Sequence, residues 1–116
     1  MVKNYLVMAE FSIVPVGSGE TSVGRYVAAA ILAFRNVEGL DFEVTSMGTI
    51  LAANDLDTIF EAVRKAHEAV AGMGAKRVSS ILKIDDRRDK PRSMNDKIDA
   101  VKRYMKESEA NRTERL

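Results

Sequence analysis

The chain has 116 residues, enough for one domain with a modest core. Eighteen Lys and Arg against seventeen Asp and Glu leave a net charge of +1, which gives no electrostatic reason to expect nucleic acid or an acidic membrane as a partner. With no cysteine, disulfides and thiolate metal sites are excluded, and the one histidine, His67, cannot supply a His-rich site alone.

Met1-Val2-Lys3-Asn4 leads straight into strand-like sequence and lacks the small-residue cleavage site of a signal peptide. No apolar run approaches the roughly 20 residues a bilayer needs, so no membrane association and a cytoplasmic location are expected. From Tyr5 to Val14 the odd positions (Tyr5, Val7, Ala9, Phe11, Ile13) form one apolar face, and the even ones (Leu6, Met8, Glu10, Ser12) a mixed face. This is a strand with a core side and a second side that is neither core nor plain surface. Pro15 ends it.

Gly17 to Ser22 reads as a loop, with Thr21 or Ser22 able to cap a helix. Val23, Val27, Ala30, Ile31, Phe34 and Val37 mark the buried stripe of that helix, and Gly39 is a natural stop. Asp41 to Met47 predicts a second strand with Phe42 and Val44 inward and Glu43 and Thr45 outward. Thr49 to Ala53 predicts a third, joined to the second as a hairpin near Gly48. Asn54-Asp55 caps a second helix with the stripe Leu56, Ile59, Phe60, Val63, Ala66, Val70 and Met73, ended by Gly72 and Gly74. Arg77 to Ile84 alternates as a fourth strand. A charged loop follows, and Ser93, with Asp96 at the capping-box position, opens a last helix striped by Met94, Ile98, Val101 and Met105.

The order β-α-β-β-α-β is that of the α+β, ferredoxin-like fold, with an added C-terminal helix. Residues 1–106 are expected to form the domain, and 107–116 a frayed polar tail. Both early helices belong on one face of a four-stranded antiparallel sheet. The other face collects Leu6, Met8, Glu10, Ser12, Thr45, Ser79, Ile81 and Lys83, too apolar to be idle and too polar to be a monomer's core. Burying about 600 Å² of apolar surface there contributes on the order of 15 kcal/mol before association costs, so sheet-to-sheet homo-oligomerisation is expected.

Several segments hold candidate chemistry. The Gly17–Ser22 loop precedes a helix N-terminus, which favours anions, but matches neither dinucleotide nor phosphate-loop motifs; a flexible connector is the alternative. Ser46-Met47-Gly48-Thr49 is a turn or a pocket wall. The run Lys83 to Lys90 is a solvated turn or an inter-subunit ion-pair network. A metal held by Asp85, Asp86 and Asp89 is opposed by Arg87, Arg88 and Lys90. His67 has no nucleophile paired with it by motif and reads as a partly exposed helix residue. Glu10 and Glu43 form a possible acid–base pair, but recognition of a ligand's amino group by Glu10 is the better use of that carboxylate. The open face lacks the aromatics of ferredoxin-like RNA binders, which argues against nucleic acid. Polar partners for a small ligand are available in Glu10, Ser12 and Thr49, and apolar walls in Met8, Phe11 and Met47. A ligand-free regulatory or interaction subunit is the competing function.

Four segments in order, Ala9-Glu10-Phe11-Ser12-Ile13-Val14-Pro15, Thr21-Ser22 through Tyr26-Val27-Ala28-Ala29-Ala30, Met47-Gly48-Thr49, and Lys83-Ile84-Asp85-Asp86-Arg87-Arg88-Asp89, resemble the small thiamine-binding protein family, archaeal members above all. That family is related to the YkoF-like proteins. The resemblance spans residues 4 to 106. It implies a ferredoxin-like subunit, a homotetramer built as a dimer of dimers, binding of thiamine or its hydroxymethylpyrimidine moiety at a sheet and subunit interface, and no catalysis or cofactor. Its matching positions are Glu10, Ser12, Ser22, Thr49 and Lys83 to Asp86, with Asp85 among them. One departure is Ala52, where family members often carry Glu.

Overall fold

In the computed structural model, residues 3–115 are described, with side chains through residue 111. The elements run β1 (Val7–Pro15), α1 (Gly24–Phe34), β2 (Asp41–Val44), β3 (Thr49–Ala53), α2 (Leu56–Gly72), β4 (Val78–Asp86) and α3 (Asp96–Arg115). The strands form one antiparallel sheet in the order β2-β3-β1-β4, the ferredoxin-like arrangement with an added helix. Residues Met1, Val2 and Leu116, at the ends of the expected domain and tail, lie outside the described residues.

Period-two alternation on β1 sends Val7, Ala9, Phe11 and Ile13 beneath α1 and α2, where they meet Tyr26, Ala30 and Phe34 from α1 and Ile59, Ala62, Ala66 and Val70 from α2. Leu51 and Ala53 complete this core from β3. Phe34 meets Phe42 of β2 edge to face, with ring centroids 5.6 Å apart.

Local differences from the sequence reading have simple causes. A bend at Leu6 breaks the alternation, so Leu6 packs against the helix-side core while Tyr5 joins Met8 and Ala52 on the opposite side. Neither Thr21 nor Ser22 caps α1 through its side chain in the usual geometry. Val23 occupies the N-cap, and Ser22 Oγ reaches only the Gly24 N–H, at 3.5 Å. The helix ends at Phe34, five residues before Gly39, which instead supplies a φ of +81° for the turn into β2. Strand β2 stops at Val44 because the Thr45 N–H and Oγ both bond the Gly48 carbonyl and close the turn. Val44, expected inward, is exposed at the end of this edge strand, and Phe60 of the α2 stripe is half-exposed. Asp55 caps α2 as expected, its carboxylate accepting from the Thr58 N–H at 2.7 Å.

The helix α3 continues through the segment expected to fray, as far as Arg115. Glu and Arg make up half of that segment, and both are strong helix formers. Its start is set by Ser93, whose N–H and Oγ both donate to the Asp96 carboxylate at 2.9 Å. A single antiparallel bridge, Tyr5 N–H to the Arg92 carbonyl (2.8 Å) and Arg92 N–H to the Tyr5 carbonyl (2.9 Å), ties this base to β1. Asp85 on β4 then bonds both Arg92 Nη2 (2.6 Å) and Lys97 Nζ. Beyond that clasp the helix projects, making the molecule 59 Å long against 32 and 22 Å across.

Two predictions follow from these contacts. A Cβ on Gly48 would lie 2.9 Å from the Phe11 carbonyl oxygen, so Gly48→Ala is expected to lower stability by about 1–3 kcal/mol in urea unfolding. The Lys97 hydrogen bond, opposed in part by desolvation and reinforced by Arg92, holds the Asp85 carboxyl below its ordinary range. A carboxyl depressed on folding stabilises above its unfolded value of about 3.9 and loses that contribution as pH falls through its folded value. The difference in melting temperature between wild type and Asp85→Asn should therefore be present at pH 7 and shrink toward zero below about pH 4. A difference that persists in acid would remove the ion pairs as its cause.

Candidate functional site

The helix-free face of the sheet is ordered in rows by strand register. Glu43, Ile50, Glu10 and Lys83 lie in one row across β2, β3, β1 and β4. Asp41, Ala52, Met8 and Asp85 form the next, and Ser12 pairs with Ile81 beyond Glu10. The first turn of α3 folds back over the second row. Met94 packs on Tyr5, Met8 and Ala52, so this end of the face is roofed by the chain's own helix.

Between that roof and the sheet lies a cleft of about 390 Å³. Met8 and Ile50 line it from the strands, Met94 from the turn before α3, Ile98 from α3, and Thr45 from the hairpin. The charged side chains on its walls are Glu10, Glu43, Lys83, Asp85 and Lys97. Lys97 is engaged by Asp85, whereas Glu10 and Glu43 hold no salt bridge within 4 Å among the described residues. Glu10 and Glu43 flank Ile50 from the two neighbouring strands, about 9–10 Å apart at Cα by strand spacing. The chemistry on offer is an apolar slot with a carboxylate on either side, suited to a flat ligand carrying amino groups or positive charge.

Of the residues singled out from sequence, Glu10, Glu43, Lys83 and Asp85 converge on this cleft, with Met8 as a wall. Ser12 is half-buried one row further along the same face. Thr49 pairs with Phe11 and shares its helix-covered side of the sheet, 4% exposed, so it and Phe11 face away from the cleft. Met47 stands at the hairpin tip, 84% exposed, and Ser22 is exposed in the loop before α1. These residues are therefore not gathered into one site. Ile50, Met94 of the turn before α3, and Lys97 and Ile98 of α3 join it instead. The spacing of Met94 and Ile98, four apart across the start of α3, was the available signal for the roof.

The remaining candidates are occupied within the chain. Arg87 pairs with Asp89 at 2.7 Å and Arg88 with Asp86 at 2.9 Å, so the charged loop is cross-linked internally. His67 Nε2 lies 2.7 Å from Ser80 Oγ, joining α2 to β4.

A sequence profile of the family described as thiamine-binding protein matches residues 9–102. A UPF0045 protein of Methanothermobacter thermautotrophicus is 46% identical over 97 residues, 84% of this chain and 97% of that protein. The UPF0045 protein MJ1052 of Methanocaldococcus jannaschii is 43% identical, over 82% of this chain and 91% of that one. The crystal structure of MJ1052 aligns with a TM-score of 0.72, covering 82% of this chain and 94% of the other. A putative thiamine biosynthesis/salvage protein of Thermotoga maritima has the same fold, with a TM-score of 0.64 at 19% identity over 82% and 97% of the two chains. No helix among the described residues is long and apolar enough to cross a membrane. With its profile match spanning both the sheet and the base of α3, the chain belongs to the thiamine-binding protein family, a family of small-molecule-binding proteins.

Proposed function

We propose that the chain binds thiamine, or its hydroxymethylpyrimidine portion, in the cleft beneath the base of α3. The observation that carries this reading is the pair of carboxylates, Glu10 and Glu43, free of salt bridges on either side of Ile50 in a largely apolar slot. An aminopyrimidine offers an amino donor to one carboxylate and a flat face to Ile50, Met8 and Met94. A thiazolium offers positive charge to the other. Family membership supports the ligand class.

The same reading includes self-assembly, with a dimer of dimers as its form. Ile81 on the open face is 71% exposed, and Ile98, Val101 and Met105 run exposed along one side of α3. These lie around the mouth of the cleft and on the projecting helix, so a second copy covering them would also shield the ligand from water. An assembly of this kind explains why a sheet face that carries charge is otherwise so apolar.

Calorimetric titration tests the ligand. Thiamine or hydroxymethylpyrimidine should give saturable heat, and Glu10→Gln or Glu43→Gln should each weaken binding by about tenfold, the loss of one charge-assisted hydrogen bond. No heat at millimolar ligand would overturn the assignment. Sedimentation tests the assembly. Ile81→Lys should shift the wild-type oligomer toward smaller species, and a wild-type monomer at micromolar concentration would refute self-association.

A further inference from the structure

The cleft beneath the base of α3 is not electrically uniform. Its cations gather at the β4 end. Lys83 belongs to that strand, and Lys97 is drawn to it by Asp85. At the opposite end, on the edge strand β2, stands Glu43, with Thr45 just beyond it. The Thr45 hydroxyl donates to the Gly48 carbonyl at 2.9 Å, so only its lone pairs remain for the cleft. The β2 end therefore offers acceptors alone, while the β4 end carries the donors.

Glu10 lies between these ends and differs from Glu43 in its neighbour. Register sets Lys83 directly opposite Glu10 on β4, their Cβ atoms about 4.5–5.5 Å apart, whereas Glu43 faces only the apolar Ile50. No salt bridge within 4 Å engages Glu10, Lys83 or Glu43 among the described residues. A carboxylate and an ammonium side by side present one acceptor and one donor to the same molecule. That matches the edge of an aminopyrimidine, where an amino group stands next to a ring nitrogen with a free lone pair. Glu43 has no donor beside it and suits a permanent positive charge that carries no N–H of its own.

We infer that the cleft recognises the two halves of its ligand with different residues: Glu10 and Lys83 take the aminopyrimidine, and Glu43 is the seat of the quaternary thiazolium. This rests on the proposed ligand class and adds which half each carboxylate meets. Ile50 lies between the two stations in the same row. The backbones of Glu10 and Glu43 are about 9–10 Å apart, a span that two rings joined by one carbon can bridge. The ligand therefore lies across the strands, and Glu43 sets the preference for whole thiamine over its pyrimidine half.

Calorimetric titration of the full chain with three probes separates these roles: thiamine, hydroxymethylpyrimidine, and the neutral thiamine isostere in which thiophene replaces thiazolium. Wild type should bind thiamine about tenfold more tightly than the isostere. Glu43→Gln should abolish that difference by weakening thiamine about tenfold, and should leave the isostere and hydroxymethylpyrimidine within about twofold of wild type. The loss expected of this variant is thus confined to the cationic ligand. Glu10→Gln should weaken all three, and Lys83→Met should weaken hydroxymethylpyrimidine about threefold. All three side chains are exposed, and unchanged urea midpoints will show that the fold is intact. Equal losses of thiamine and isostere in Glu43→Gln, or undiminished hydroxymethylpyrimidine binding by Lys83→Met, would overturn the assignment and leave the ligand class standing. No heat from any probe would remove the ligand class and the assignment together.

Discussion

Alternation along β1 imposes two different surfaces on one central strand. Val7, Ala9, Phe11 and Ile13 must lie beneath α1 and α2, and each such choice commits Met8, Glu10, Ser12 and Val14 to the other side. Because β3 and β4 both pair with β1, its register transmits that division to them, and the core and the candidate site become two consequences of one constraint. A slip of one residue would place Glu10 under the helices and Phe11 in water, so the site inherits its precision from the core.

Such a sheet has a free face, and the chain covers only part of it. The base of α3 closes over Met8 and Ala52 and is held there by the Tyr5–Arg92 bridge and the Asp85 clasp. Ala52 is fully buried at this point, directly against Met94. A carboxylate introduced there would have to lie beneath the methionine, so the small Ala52 side chain suits this covered end of the cleft. Further from the base, the face and the helix remain uncovered, and the protein has apolar surface to spend on a ligand, a second copy, or both.

Charge is distributed around α3 with the same economy. Its apolar side closes a cleft with free carboxylates, its opposite side borders a cleft rich in cations, and Asp85 with Lys97 and Arg92 separates them. A near-neutral total charge thus conceals two local environments of opposite character. Bulk composition could not reveal clefts only a few side chains wide.

The sequence by itself determined the elements, their order and, away from element ends such as Leu6 and Val44, which side of each strand faces the core, because burial against water leaves its mark at two- and 3.6-residue periods that local sequence displays directly. Turn chemistry around Gly48, the Asp55 cap and the Ser93–Asp96 capping contacts were legible for the same reason: each involves residues a few positions apart. Only the tertiary structure decided that Thr49 turns away while Ile50 stands between Glu10 and Glu43, since that depends on cross-strand register. Likewise, the bend at Leu6, the roof formed by Met94 and Ile98, and the placing of Lys83 opposite Glu10 arise between residues tens of positions apart. No periodicity records which distant group a side chain will meet, so the faces could be read from the sequence and the clefts between them could not.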